Sequence, residues 1–220
     1  DGLIVSMAEE TQFKNKLDHF QNILDEQIPL VMFDRVSDVI ICDKVVVDDF
    51  EAGYKTTKYF INIGCRTVAL VTAIDHSSVG KLRVEGYRKA LEEANIPFDD
   101  KLILRLGKED DLEVLLTFLL NYKSIEGIMA LDEITAVEVL RLIKARGYRV
   151  PEDISVIGFT NGKLSRYVSP ALTAVSQHGT YIGETAAKVL IERIESKEYM
   201  DSTTKVIKTS LIVRDSTKRV

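Results

Sequence analysis

The fold turns on one stretch, "VPEDISVIGFTN", residues Val150 to Asn161. It opens with a tight entry and runs through an apolar segment from Ile154 to Phe159. It then turns polar at Thr160 and Asn161, with Gly158 just before the break. A short apolar run of this length predicts a strand buried on both faces. In an open parallel sheet the carboxyl end of such a strand is where ligands are held. Thr160 and Asn161 are therefore candidate ligand contacts, which gives the polar break a reason.

Outward from it the same alternation repeats. Strands are predicted over 2–6, 29–34, 44–47, 67–72, 102–106, 127–130, 154–159 and 172–176, with a last run over 206–213. Helices are predicted near 11–27, 50–63, 81–94, 110–122, 132–146 and 181–196. Their apolar residues recur at helical spacing: Phe13, Leu17, Phe20 and Leu24 in the first; Val84, Tyr87, Leu91 and Ala94 later; Ile182, Ala186, Val189, Leu190 and Ile194 in the last. Each helix can bury one face against a sheet. Gly64 and Gly147 stand where a left-handed residue ends a helix. Strand and helix in this rhythm argue for parallel strands joined by right-handed crossovers. "VVVDDFEAG" and "AVSQHGTYIG" run from a strand straight into a polar helix opening. They read as ordinary turns or as crossings between two lobes.

Of 220 residues, 45% are hydrophobic and 29% charged. That is ordinary globular composition, enough for one large domain or two lobes with a core that needs no staples. The formal charge of −5 offers no basic footprint for nucleic acid. Cys42 and Cys65 show no CxxC spacing; a reduced pair is the expectation, though sequence leaves a disulfide open. His19, His76 and His178 have no spacing that suggests a metal site or a triad. A P-loop, GxGxxG, HExxH and GxSxG are all missing, so no catalytic residue, metal or cofactor is expected. No run has the length of a membrane span. The chain opens without Met inside the apolar run "DGLIV". The N-terminus therefore reads as cut, and the lack of a leader says little about compartment.

Seven stretches together carry a resemblance: "DGLIVS" (1–6), "IPLVMFDR" (28–35), "VDDFEAGYKTTKYFINIGCRTVALV" (47–71), "RVEGYRKALEEANI" (83–96), "VPEDISVIGFTN" (150–161), "SPALTAVSQ" (169–177) and "TSLIVRDST" (209–217). In order and spacing they resemble the effector-binding core of the lactose-repressor/galactose-repressor family of bacterial transcription regulators. The resemblance implies an α/β, two-lobed, periplasmic-binding-protein-like fold with parallel sheets flanked by helices. The first lobe, incomplete, would take residues 1–47 and 178–204; the second would take 48–177 and 205–220. A DNA-binding headpiece and the first strands of the first lobe would precede Asp1, making this chain a fragment of a longer regulator.

It also implies a ligand cleft at the strand ends between the lobes, and it adds candidates. Arg83 heads "RxxGY" and would give paired hydrogen bonds to neighbouring hydroxyls or to an acid; read alone, it is an exposed arginine pairing with Glu85. Asp34 ends "LVMFD" and could accept from two hydroxyls, or simply form a turn before Arg35. Ser6 ends the first strand in the same way, as a contact or a loop cap. Many repressors have an Asp where Thr160 stands, and Asn-Asp where this chain has Leu131-Asp132. Asp132 is then an N-cap or a contact. Gln177, at a crossing, would line the cleft. Phe33 and Phe159 read as core.

The expected function is a cytoplasmic effector-sensing core, binding a small molecule, a sugar by resemblance, and forming a homodimer. Operator DNA would be reached only through the absent headpiece, and no membrane is involved. The alternative is an extracytoplasmic sugar-binding protein of a transporter; an enzyme stands last.

Overall fold

A computed structural model describes residues 1–14, 16–74, 76–196 and 201–219. In chain order the elements are β1 (Leu3–Val5), α1 (Glu9–Lys14), α2 (Asp18–Asp25), β2 (Leu30–Phe33), β3 (Asp43–Val47), α3 (Asp49–Asn62), β4 (Val68–Thr72) and α4 (Ser78–Glu93). Then follow β5 (Ile103–Arg105), α5 (Leu112–Tyr122), β6 (Gly127–Ala130), α6 (Glu133–Ala145), β7 (Ser155–Phe159), α7 (Leu164–Tyr167), β8 (Thr173–Ser176), α8 (Gly179–Glu195), β9 (Thr204–Ile207) and β10 (Ser210–Ile212). The fold is α/β, and contacts divide it into two units. One holds Asp1–Asp48, His76–Val79 and His178–Lys208; the other holds Asp49–Asp75, Gly80–Gln177 and Thr209–Val220.

The first unit is a parallel sheet in the order β1-β2-β3-β9. Alternation along β2 sorts its side chains by face. Val31 meets Ile182, Ala186 and Val189 of α8, together with Val45, Val47 and Ile207. Leu30 and Met32 meet Met7, Phe20 and Ile40, with Leu17 and Leu24 packed on them. Here the predicted helix over 11–27 is two shorter helices, α1 and α2. Leu17 precedes α2 without a side-chain cap. The side chain of Phe13 lies outside the described residues.

The second unit is a six-stranded sheet in the order β10-β8-β7-β6-β4-β5. Every pair is parallel except β10 with β8. Ala69, Val71, Ile128 and Val156 face α5 and α6, where Leu116, Leu119, Val139 and Ile143 close the core. Val68, Leu70, Met129, Ile157 and Phe159 face the other way, onto Ala52 and Phe60 of α3 and Tyr87 and Leu91 of α4. Gly158 is explained by that packing: a Cβ there would lie 2.7 Å from the Cβ of Ala136 on α6. Gly64 and Gly147 have φ of 93° and 85°, as their place at helix ends requires. Both cysteines are free and buried, and burial pushes the Cys65 thiol up to about 11.

The "RDST" ending has a structural task. Ser216 Oγ accepts from the Thr173 N–H at 2.8 Å and donates to Val156 O at 2.6 Å. Thr217 and Thr173 hydroxyls lie 2.9 Å apart. The tail thus clips β7 to β8. The single run predicted over 206–213 is two strands: β9 pairs with β3 in the first unit and β10 with β8 in the second. Contacts accordingly group residues 205–208 with the first unit, where the sequence division had given them to the second lobe. Among the described residues no helix is long and apolar enough to cross a membrane.

Candidate ligand-binding site

In the second unit the site is built by two helices that touch. A Cβ on Gly53 of α3 would lie 2.2 Å from Arg83 O, and one on Gly86 of α4 would lie 2.1 Å from Phe50 O. Only glycine leaves room for that approach. One turn before Gly53 stands Asp49; three residues before Gly86 stands Arg83. The contact brings them together. Arg83 is 2% exposed. Its Nε donates to Asp49 Oδ1 at 2.8 Å, with Nη2 also 2.8 Å from that oxygen, while Nη1 donates to Leu131 O at 2.9 Å. The guanidinium carbon lies 4.3 Å from the centre of the Phe159 ring.

This guanidinium ties the start of α3, the first turns of α4 and the carboxyl ends of β6 and β7 into one corner. Asp49, not Glu85, is its partner. Arginine carries five N–H donors. Three have partners here. One N–H on each terminal nitrogen has none among the described residues. A buried donor left unmade costs about 1–3 kcal/mol, so the corner is poised for an acceptor.

Beside it, Thr160 follows β7 with φ of 76°, a strained backbone for a β-branched residue. Its N–H donates to Val175 O at 2.9 Å and its hydroxyl to Gln177 Oε1 at 3.3 Å. Two predicted contacts are thus joined. Asn161 is partly occupied: its Oδ1 accepts from Arg214 Nη2, and Arg214 also donates to Leu172 O. Asp132 caps α6, accepting from the Thr135 N–H at 2.8 Å.

The first unit gathers polar groups at the carboxyl ends of β1 and β2. Asp34 follows β2 with φ of 57°, and its N–H donates to Val45 O. Arg35 Nε lies 3.9 Å from Asp34 Oδ2. Gln12 donates to Val36 O at 3.3 Å and to Ser78 Oγ at 3.0 Å. Ser6 Oγ, Gln12 Oε1 and Arg35 Nε are buried atoms without a hydrogen-bond partner among the described residues. A cavity of about 630 Å³ lies elsewhere, at the amino ends of β2 and β3 around Leu30 and Asp43. Asp43 is already taken by Arg193 and Thr203, so that cavity offers little chemistry.

Sequence reading missed Asp49, Gln12 and Arg35. The signal for Asp49 lay in the polar opening of "VVVDDFEAG". Gln12 and Arg35 carried none beyond their nearness to Ser6 and Asp34.

Parallel strands with polar side chains gathered at their carboxyl ends, in each unit taken by itself, are the layout of a small-molecule-binding α/β protein. The chain matches the periplasmic binding protein-like domain over residues 57–217 and belongs to that family. Its relatives are regulators, as the sequence phrases imply. It is 31% identical over 183 residues to the HTH-type transcriptional regulator DegA of Bacillus subtilis, a match covering 80% of this chain and 52% of DegA. It is 30% identical over 224 residues to the HTH-type transcriptional repressor PurR of Vibrio vulnificus, covering 100% of this chain and 65% of PurR. Among solved structures, a LacI family transcriptional regulator from Enterococcus faecium with bound ribose superposes with a TM-score of 0.82. That pair shares 26% identity over 97% of this chain and 79% of the other. The chain thus spans between 52% and 65% of the length of the two curated relatives.

Proposed function

We propose that this chain is the effector-sensing and dimerising core of a bacterial DNA-binding transcriptional regulator, and that its effector is a sugar. The observation that carries the ligand site is Arg83: a buried guanidinium at strand ends, with two N–H donors unpartnered among the described residues. Thr160 and Gln177 extend it with uncharged donors and acceptors, Asn161 and Asp132 flank it, and Ser6 and Asp34 are the candidate contacts of the first unit taken by itself. The kinship with DegA and PurR favours a regulator over a transporter's binding protein and over an enzyme. The ribose-bound relative favours a sugar.

The whole regulator would act in the cytoplasm. Operator contact would belong to a headpiece outside this chain, in keeping with the chain's charge of −5. An effector shifts the core between two conformational states only through its different affinity for them. A coupling of about 1–3 kcal/mol would change operator affinity roughly 5–150-fold. A homodimer follows from the two-fold symmetry of operators.

The test is a thermal-shift panel of sugars, sugar phosphates and nucleobases. At a free concentration of about 100 Kd a true effector stabilises the fold by about 2.7 kcal/mol, a clear rise in Tm. A panel in which nucleobases raise Tm and no sugar does would end the sugar reading.

A further inference from the structure

We infer that Asp49 sets the charge preference of the effector site, fitting it to uncharged polyhydroxy ligands and closing it to phosphorylated or acidic ones. This preference rests on Arg83 being an effector contact, as proposed above. A lone buried arginine is an anion receptor, because its fork matches carboxylate and phosphate. Arg83 is not alone. Asp49 is 3% exposed, and one of its oxygens faces both Nε and Nη2 at 2.8 Å. The pair is neutral as a unit. What it leaves is one N–H on each terminal nitrogen, directed donors without net charge, which suit hydroxyl oxygens.

An anion placed on those two donors would sit across the guanidinium from the Asp49 carboxylate, in a region where water screens little. Among the described residues around it the charges balance: Asp132 and Glu133 open α6, while Arg214, hydrogen-bonded to the neutral acceptors Asn161 and Leu172, keeps its charge beside Glu133 and Arg166. Thr160, Asn161 and Gln177 carry no charge. The close contact of Gly53 and Gly86 holds Asp49 against Arg83, so the neutralising carboxylate is part of the framework.

Thermal-shift titrations with matched pairs read the preference directly: ribose and ribose 5-phosphate, glucose and glucose 6-phosphate, galactose and galacturonate. In the native chain a neutral member should bind, and its charged partner should bind at least about tenfold more weakly. Asp49→Asn keeps the oxygen that faces Arg83 but removes the charge; it should swing the pair ratio by about tenfold or more toward the charged member. Adding Arg83→Gln removes the remaining charge and should abolish that gain. A native chain that binds a charged member as well as its neutral partner overturns the inference and leaves a sugar-class effector standing. So does a folded Asp49→Asn chain, checked by circular dichroism, with an unchanged ratio. If Asp49→Asn does not fold, the native pair ratios decide. A panel with no binder in the native chain overturns the sugar reading and this preference together.

Discussion

At the scale of residues, the Arg83–Asp49 pair makes a prediction about stability as well as binding. Both side chains are almost fully buried. Breaking a buried ion pair by removing one partner typically costs about 3–5 kcal/mol. Arg83→Ala should therefore lower unfolding free energy by about that amount in urea titrations, besides losing the effector response. An Arg83→Ala chain as stable as the native one would show that the pair does not hold the corner. The candidate site was partly legible. Arg83 was marked by "RxxGY", and the Asp132 cap by local chemistry three residues from its donor. Asp49 was not legible as a partner, because it stands 34 residues from Arg83 and meets it only through helix packing.

At the scale of elements, that packing is the contact of α3 with α4. Gly86→Ala would put a methyl group 2.1 Å from the carbonyl oxygen of Phe50, a backbone atom that cannot swing aside. The helices must part, and overpacking of this kind costs about 1–3 kcal/mol. The expected result is a lower urea midpoint together with a weakened effector response, since Asp49 moves with α3. A Gly86→Ala chain that kept both would show that the glycine contact is incidental. Strands and most helices of this fold were readable because burial on both faces writes continuous apolar runs and each helix writes one stripe. Two elements were not. The run from Val206 to Val213 does not tell which sheet β9 and β10 each join, because a strand's partner is a non-local choice. The stripe through Leu17, Phe20 and Leu24 tells which face is buried, but it does not tell whether one helix or two present that face.

At the scale of the whole molecule, the second unit carries an apolar face that its own core does not use. Ile134 at the start of α6 is 71% exposed and Tyr167 at the end of α7 is 83% exposed, with Leu164 exposed beside them. Glu133 accepts from the Ser165 N–H at 2.9 Å, which ties together the two helices that bear these side chains. Next to them a groove of about 370 Å³ is lined by Val137, Leu140 and Val168 with Arg141 and Lys144 at its rim. Large aromatic and aliphatic residues in the open, bordered by charge, mark a protein contact rather than ordinary surface. In a two-fold dimer each copy offers the same patch, and a stable one buries about 800 Å² per partner. The proposed dimer should therefore use this face. Ile134→Glu combined with Tyr167→Glu would place like charges against their symmetry mates. Light scattering behind a sizing column should then read a monomer mass where the native chain reads a dimer. The Tm of the native chain should rise with protein concentration, and that of the double variant should not. A variant that stays dimeric would move the interface elsewhere, and a native chain that runs as a monomer would detach dimerisation from this part of the regulator.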